Sequence, residues 1–157
     1  GRNMLITTVC WGNICRSPMA ERILRSSLAS LEGGENITVN SVGVSSEEVG
    51  NPMDPRAARV LKAQGYDASG HAARQVNPTD IENTDLFVAA EDFHLDRLRA
   101  LGAREDQLAL MTDFDPESEA GAPLPDPWYG GAEDFDKTLD VLERAMPRLA
   151  ERLVKDA

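Results

Sequence analysis

Leu5-Ile6-Thr7-Thr8-Val9-Cys10-Trp11-Gly12-Asn13-Ile14-Cys15-Arg16-Ser17-Pro18 carries the chain from a strand, through a loop, into a helix. Residues 5–9 form a short, apolar, β-branched run of the kind that serves as a buried parallel strand. Ser17-Pro18 signals a helix start, because serine can cap and proline is tolerated at the first helical position. Ala20, Ile23, Leu24, Leu28 and Leu31 then fall on one face, and Gly33-Gly34 ends the pattern.

The alternation continues outward from there. Further strands are predicted at residues 37–42, 85–89 and 107–111, with helices over 54–64 and 92–100 and a last helix from Ala132. In that last helix Phe135, Leu139, Leu142, Met146, Leu149 and Leu153 recur every three or four residues, a core-facing stripe interrupted by Pro147. Strand–helix alternation predicts an α/β fold with a parallel sheet covered on both faces, a three-layer α/β/α sandwich. Residues 112–131 stay irregular and end Pro125-Asp126-Pro127-Trp128-Tyr129-Gly130-Gly131. A loop of that length inside a compact domain is usually functional. Leaving the fourth strand, it should emerge at the carboxyl edge of the sheet, where ligands bind and where Cys10 also sits. The acidic run over 113–119 is expected to be a solvated face, and His94 a surface residue of its helix.

Bulk composition narrows the choice of function. The 157 residues suit one domain, expected to cover 4–157, with residues 1–3 a leftover of expression ahead of Met4. Sixteen basic against 27 acidic residues give a net charge of −11, a field that repels nucleic acid and anionic membranes. Two cysteines five positions apart do not make a disulfide scaffold, and with two distant histidines they give no zinc spacing. No apolar run approaches the ~20 residues of a membrane helix and no signal-peptide pattern opens the chain. The expectation is a cytoplasmic protein without metal or cofactor.

Between strand and helix the loop can wrap so that consecutive backbone N–H groups point inward, helped by Gly12 and by Asn13, which tolerates positive φ. The helix behind it adds its N-terminal partial charge, so the natural guest is an anion. Arg16 can grip two phosphate oxygens at once. The same field favours a thiolate at Cys10, to which Ser17 can donate a hydrogen bond. A nucleophile inside a phosphate cradle invites phosphoryl transfer to sulfur, and the leaving group then needs a proton. Asp126, stiffened between two prolines, is the candidate donor. Trp128 and Tyr129 beside it offer flat faces to an aromatic substrate, and at least one is expected to anchor the loop in the core.

The run from Val9 to Glu21 resembles the signature of the low-molecular-weight protein tyrosine phosphatases. Ser41-Val42-Gly43, Gly50-Asn51-Pro52, Asp54-Pro55-Arg56, His71, Arg74-Gln75 and the late Asp126-Pro127-Trp128-Tyr129-Gly130 are similar to that family in the same order. The resemblance implies a four-stranded parallel sheet of flavodoxin-like type, with Cys10 as nucleophile, Arg16 as phosphate clamp and Asp126 as general acid and later base. It further implies a phosphate-binding loop formed by Trp11, Gly12, Asn13, Ile14, Cys15 and Ser17, supported by Ser41 and His71. Cys15 matches the family's second cysteine, implying a reversible disulfide with the nucleophile. The implied substrate is a phosphotyrosine protein or peptide.

Three departures stand out. Trp11 replaces a smaller residue beside the nucleophile, Glu47-Glu48 fall where relatives often place an aromatic or apolar residue, and Ala90-Glu91 replaces a common Met-Asp pair. None is expected to touch the cysteine chemistry. Trp11, Glu47, Trp128 and Tyr129 are expected to line the substrate pocket, with the glutamates disfavouring acidic peptides. Two rival activities share the fold. Arsenate reductases use a cysteine relay, and no thiol follows Cys15; phosphoarginine phosphatases tend to carry threonine where this chain has Ile14.

Overall fold

In the computed structural model, which describes residues 3–157, four parallel strands stand in the order β2-β1-β3-β4. The expectation for Gly1 and Arg2 lies outside the described residues. In chain order the elements are β1 (Met4–Cys10), α1 (Arg16–Ala29), β2 (Ile37–Gly43), α2 (Pro55–Ala63) and α3 (Pro78–Asn83). They continue with β3 (Leu86–Ala89), α4 (Asp92–Ala100), β4 (Leu108–Leu110) and α5 (Ala132–Asp156).

Alternation along the strands sorts side chains into two cores. Ile6, Cys10, Val39 and Val88 pack with α1, α2 and α5, while Val9, Val42, Phe87, Ala89 and Leu110 pack with α4. That is the three-layer α/β/α arrangement the alternating pattern predicts. Central β1 is closed in on both sides, so its two threonines must find partners. Thr7 bonds Asn40 and Thr84, and Thr8 donates to the carbonyl of Ser17, tying the strand to the first turn of α1. Among the described residues no helix is long and apolar enough to cross a membrane.

Four local readings change. α1 begins at Arg16, two residues before the Pro18 start that the Ser17-Pro18 signal gives, and no side chain caps it. β4 is shorter than predicted because Met111–Phe114 winds into a 3-10 turn in which Asp113 accepts from the backbone N–H of Leu110. α3 was invisible to periodicity at six residues, although Asn77 and Asp80 form a reciprocal capping box that marks it in sequence. The acidic run is no simple solvated face: Asp115 is buried, and its carboxylate receives both Nε and Nη2 of Arg144 at 2.8 and 3.0 Å. That pair fastens the long loop to α5. Pro147 sits inside α5 without ending it, as the buried stripe from Phe135 to Leu153 holds the helix in place.

Because all strands run one way, the segments following β1, β2, β3 and β4 leave the sheet at one edge. Those segments build the site.

Candidate active site

Cys10 ends β1 and residues 11–15 bend back before α1 starts at Arg16. Among the described residues Asn13 is the one non-glycine with positive φ, at 63°. Its side chain is what makes that turn hold. Nδ2 donates to Ser17 Oγ at 2.8 Å and to Ser41 Oγ at 3.0 Å, and Oδ1 accepts from the backbone N–H of Arg74. The Asn13 carbonyl accepts from His71 Nε2 at 2.6 Å, which places the proton of that ring on Nε2. Gly43, paired with Cys10 across the sheet, lies under the loop: a Cβ there would stand 2.7 Å from the Trp11 carbonyl.

The N-cap position of α1 falls on Cys15, which makes no capping bond, and Ser17 lies within the first turn with its hydroxyl turned to the sulfur. Its Oγ accepts from Asn13 and stands 3.0 Å from Cys10 Sγ, so its own proton is free for the sulfur, while its backbone N–H also reaches Sγ at 3.4 Å. The hydroxyl is committed to the loop.

Arg16 is 2% exposed. Its Nη1 donates to Glu91 Oε2 and to the Leu124 carbonyl, both at 2.6 Å, and Nη2 lies 3.6 Å from Asp126 Oδ2. Glu91, one of the three departures from the family pattern, therefore bears directly on the guanidinium. Beside it, His94 is fully buried rather than on the helix surface. Its Nδ1 accepts from the Glu91 N–H at 3.2 Å, closing the first turn of α4. Burial and the nearby Arg16 push its pKa down to about 3, so the ring is neutral. Cys15 is also buried, and burial together with the charges of Asp54, Cys10 and Asp126 pushes its thiol well up.

A cavity of about 170 Å³ opens above the loop. Cys10, Trp11, Gly12, Ile14, Cys15 and Arg16 line it from the loop, Glu47 and Glu48 from the segment after β2, and Asp126, Trp128 and Tyr129 from the segment after β4. Asn13, Ser17, Ser41 and His71 are not among the lining residues and act on it through the loop. Trp11 is fixed by a hydrogen bond from Nε1 to Glu47 at 2.9 Å, with Phe93 and Arg97 against its ring. Asp126 uses one oxygen to accept from the Trp128 N–H and turns the other toward Arg16. Neither aromatic beside it anchors the loop: Trp128 is 49% and Tyr129 84% exposed, and Leu124 and Pro127 are buried instead. A loop tip bordering the cavity leaves its rings in solvent, where a ligand can reach them. Among the described residues no cluster of His, Cys, Asp and Glu could hold a metal ion.

Residues 5–157 match the family model described as low molecular weight phosphotyrosine protein phosphatase. Low molecular weight protein-tyrosine phosphatase A of Mycobacterium tuberculosis is 41% identical over 145 residues, covering 92% of this chain and 88% of that relative. Among solved structures, a protein tyrosine phosphatase from Entamoeba histolytica with Hepes in its active site superposes with a TM-score of 0.90 at 30% identity, over 98% of this chain and 99% of that one. The YwlE arginine phosphatase, with a phosphorylated active-site serine, superposes with a TM-score of 0.85 at 29% identity, over 98% and 97% of the two chains. With its model matched over almost the whole length, the chain belongs to the low molecular weight phosphotyrosine protein phosphatase family.

Proposed function

We propose that this protein hydrolyses phosphotyrosine through a phosphocysteine at Cys10. The observation that carries the reading is one cavity lined by a sulfur, a guanidinium and a carboxylate, with two donors aimed at the sulfur. Glu91 and the Leu124 carbonyl occupy Nη1 of Arg16, which leaves the Nε and Nη2 edge to meet two phosphate oxygens. The Cys10 thiolate attacks phosphorus and the bond to the tyrosine oxygen breaks as Asp126 gives that oxygen its proton. Water then attacks the phosphocysteine, Asp126 takes a proton from it, and the S–P bond breaks to release inorganic phosphate and the thiolate. Positioned acid catalysis of this kind contributes about 10²–10⁴-fold. A buried, protonated Cys15 leaves Cys10 as the nucleophile of the pair. The reading assigns the protein to the cytoplasm, whose reducing poise keeps both thiols free.

Hydrolysis of aryl phosphates in EDTA tests the reading. Cys10→Ser is expected to abolish turnover, and Asp126→Ala to lower kcat/KM by about 10²-fold or more for phenyl phosphate and far less for p-nitrophenyl phosphate. Turnover of phosphoarginine but not of phosphotyrosine would reject it in favour of the rival activity.

Substrate choice follows from the mouth. Trp11, Trp128 and Tyr129 give aromatic surface for the tyrosine ring, while Glu47 and Glu48 set negative charge beside it. Phosphotyrosine peptides with basic flanking residues are therefore expected to show higher kcat/KM than acidic ones, with the gap shrinking at high salt. Equal values for the two peptide sets would count against the role of the glutamates.

A further inference from the structure

Arg56 lies outside the cavity lining, yet it joins two of the segments that form it. Its Nε and Nη2 grip Asp54 at 3.1 and 2.9 Å, a bidentate pair with a carboxylate that is only 7% exposed. The remaining donors reach the other way: Nη1 to the Gly130 carbonyl at 3.2 Å and Nη2 to the Trp128 carbonyl at 3.3 Å. The guanidinium also lies over the Phe135 ring, 4.6 Å from its centroid, on the first turn of α5. Asp54 in turn is fastened to the phosphate-binding loop, since its backbone N–H donates to the Ile14 carbonyl at 2.9 Å.

We propose that Arg56 is a positioning residue, a strap that fixes the Asp126 loop at its working distance from Cys10. The proposal rests on Asp126 being the general acid. Its physical basis is the bareness of the loop tip. With Trp128 and Tyr129 turned to solvent and two glycines following, the tip past Pro127 has little side-chain burial to hold it. Asp126 hangs on the same turn, because its Oδ1 accepts from the N–H of Trp128, whose carbonyl Arg56 holds. A guanidinium fork can hold two carbonyls and a carboxylate together; an ammonium cannot. The continuous path runs Ile14, Asp54, Arg56, Trp128, Asp126.

The test compares phenyl phosphate with p-nitrophenyl phosphate in the wild type, Arg56→Ala, Arg56→Lys and Asp126→Ala, with vanadate inhibition as a measure of the phosphate site. A displaced acid penalises the poor leaving group, and misplacement near 1 Å can cost 10²-fold. Arg56→Ala is therefore expected to lower kcat/KM for phenyl phosphate by about tenfold or more beyond any loss for p-nitrophenyl phosphate, with vanadate inhibition changed less than about threefold. Arg56→Lys keeps charge against Asp54 and guards against a folding failure; it should show the same bias, reduced in size. Equal losses for the two esters, or no loss, in either Arg56 variant overturns the strap while Asp126→Ala retains its bias. Should Asp126→Ala itself lack the bias, the acid assignment fails and the strap falls with it.

Discussion

Asn13 and Gly43 shape the loop between β1 and α1 from opposite sides. Asn13 accepts an unfavourable φ because three side-chain hydrogen bonds and one to its carbonyl, each contributing about 1 kcal/mol, outweigh the cost of about 1–2 kcal/mol. Gly43 contributes by having nothing to put there. Gly43→Ala is expected to lift the loop off β2 and lower kcat/KM by about tenfold or more, while far-UV circular dichroism stays native. A variant of wild-type activity would show that the loop tolerates the displacement. Residue types alone announce this part of the site: Cys, Gly, Asn, Arg and Ser between a strand and a helix leave few other chemistries open. Glu91 and His94 were not legible in the same way. Glu91 meets Arg16 across 75 positions of sequence, and a histidine between Asp92 and Asp96 reads as surface until the topology folds α4 against the strand edge.

At the scale of elements, period and composition were enough to locate the four strands and the long helices, because each buries a whole face. They failed where side chains rather than burial set the structure, in the capping-box helix α3 and in the turn after β4. The long loop between β4 and α5 is the sharpest case. Its acidic run gives no sign that Asp115 is buried against Arg144, which holds its carboxyl well below the usual carboxylate range. Ser118 Oγ and the Glu117 N–H add to the same carboxylate. Asp115→Asn keeps the shape and loses the charge. It is expected to cost about 2 kcal/mol in urea unfolding, in line with hydrogen bonds to a charged group, while leaving the loop tip at Asp126 active. A change under a few tenths of a kcal/mol would mean that the pair is ornamental.

For the molecule as a whole, acid is the condition to which stability responds. His94 is neutral and buried with a folded pKa of about 3, against about 6.5 for an unfolded histidine, so the unfolded chain takes up the proton first. Its stabilising contribution is complete above pH ~6.5 and drains away as pH falls toward 3. Asp115, depressed in the folded state, adds a second loss below pH ~4. Melting temperature is expected to fall from pH 7 to pH 5 in the wild type and to fall less in His94→Asn; parallel curves would remove His94 from the account. The net charge of −11 is relieved as carboxylates protonate, so the loss over this first window is not general charge repulsion. The placing of indole rings has an optical consequence. The chain has two tryptophans, Trp11 and Trp128, and both border the cavity, one from the loop after β1 and one from the segment after β4. Tryptophan emission from the intact protein thus comes from the cavity mouth with no tryptophan background from elsewhere, and an oxyanion settling between them can be titrated without any attached dye.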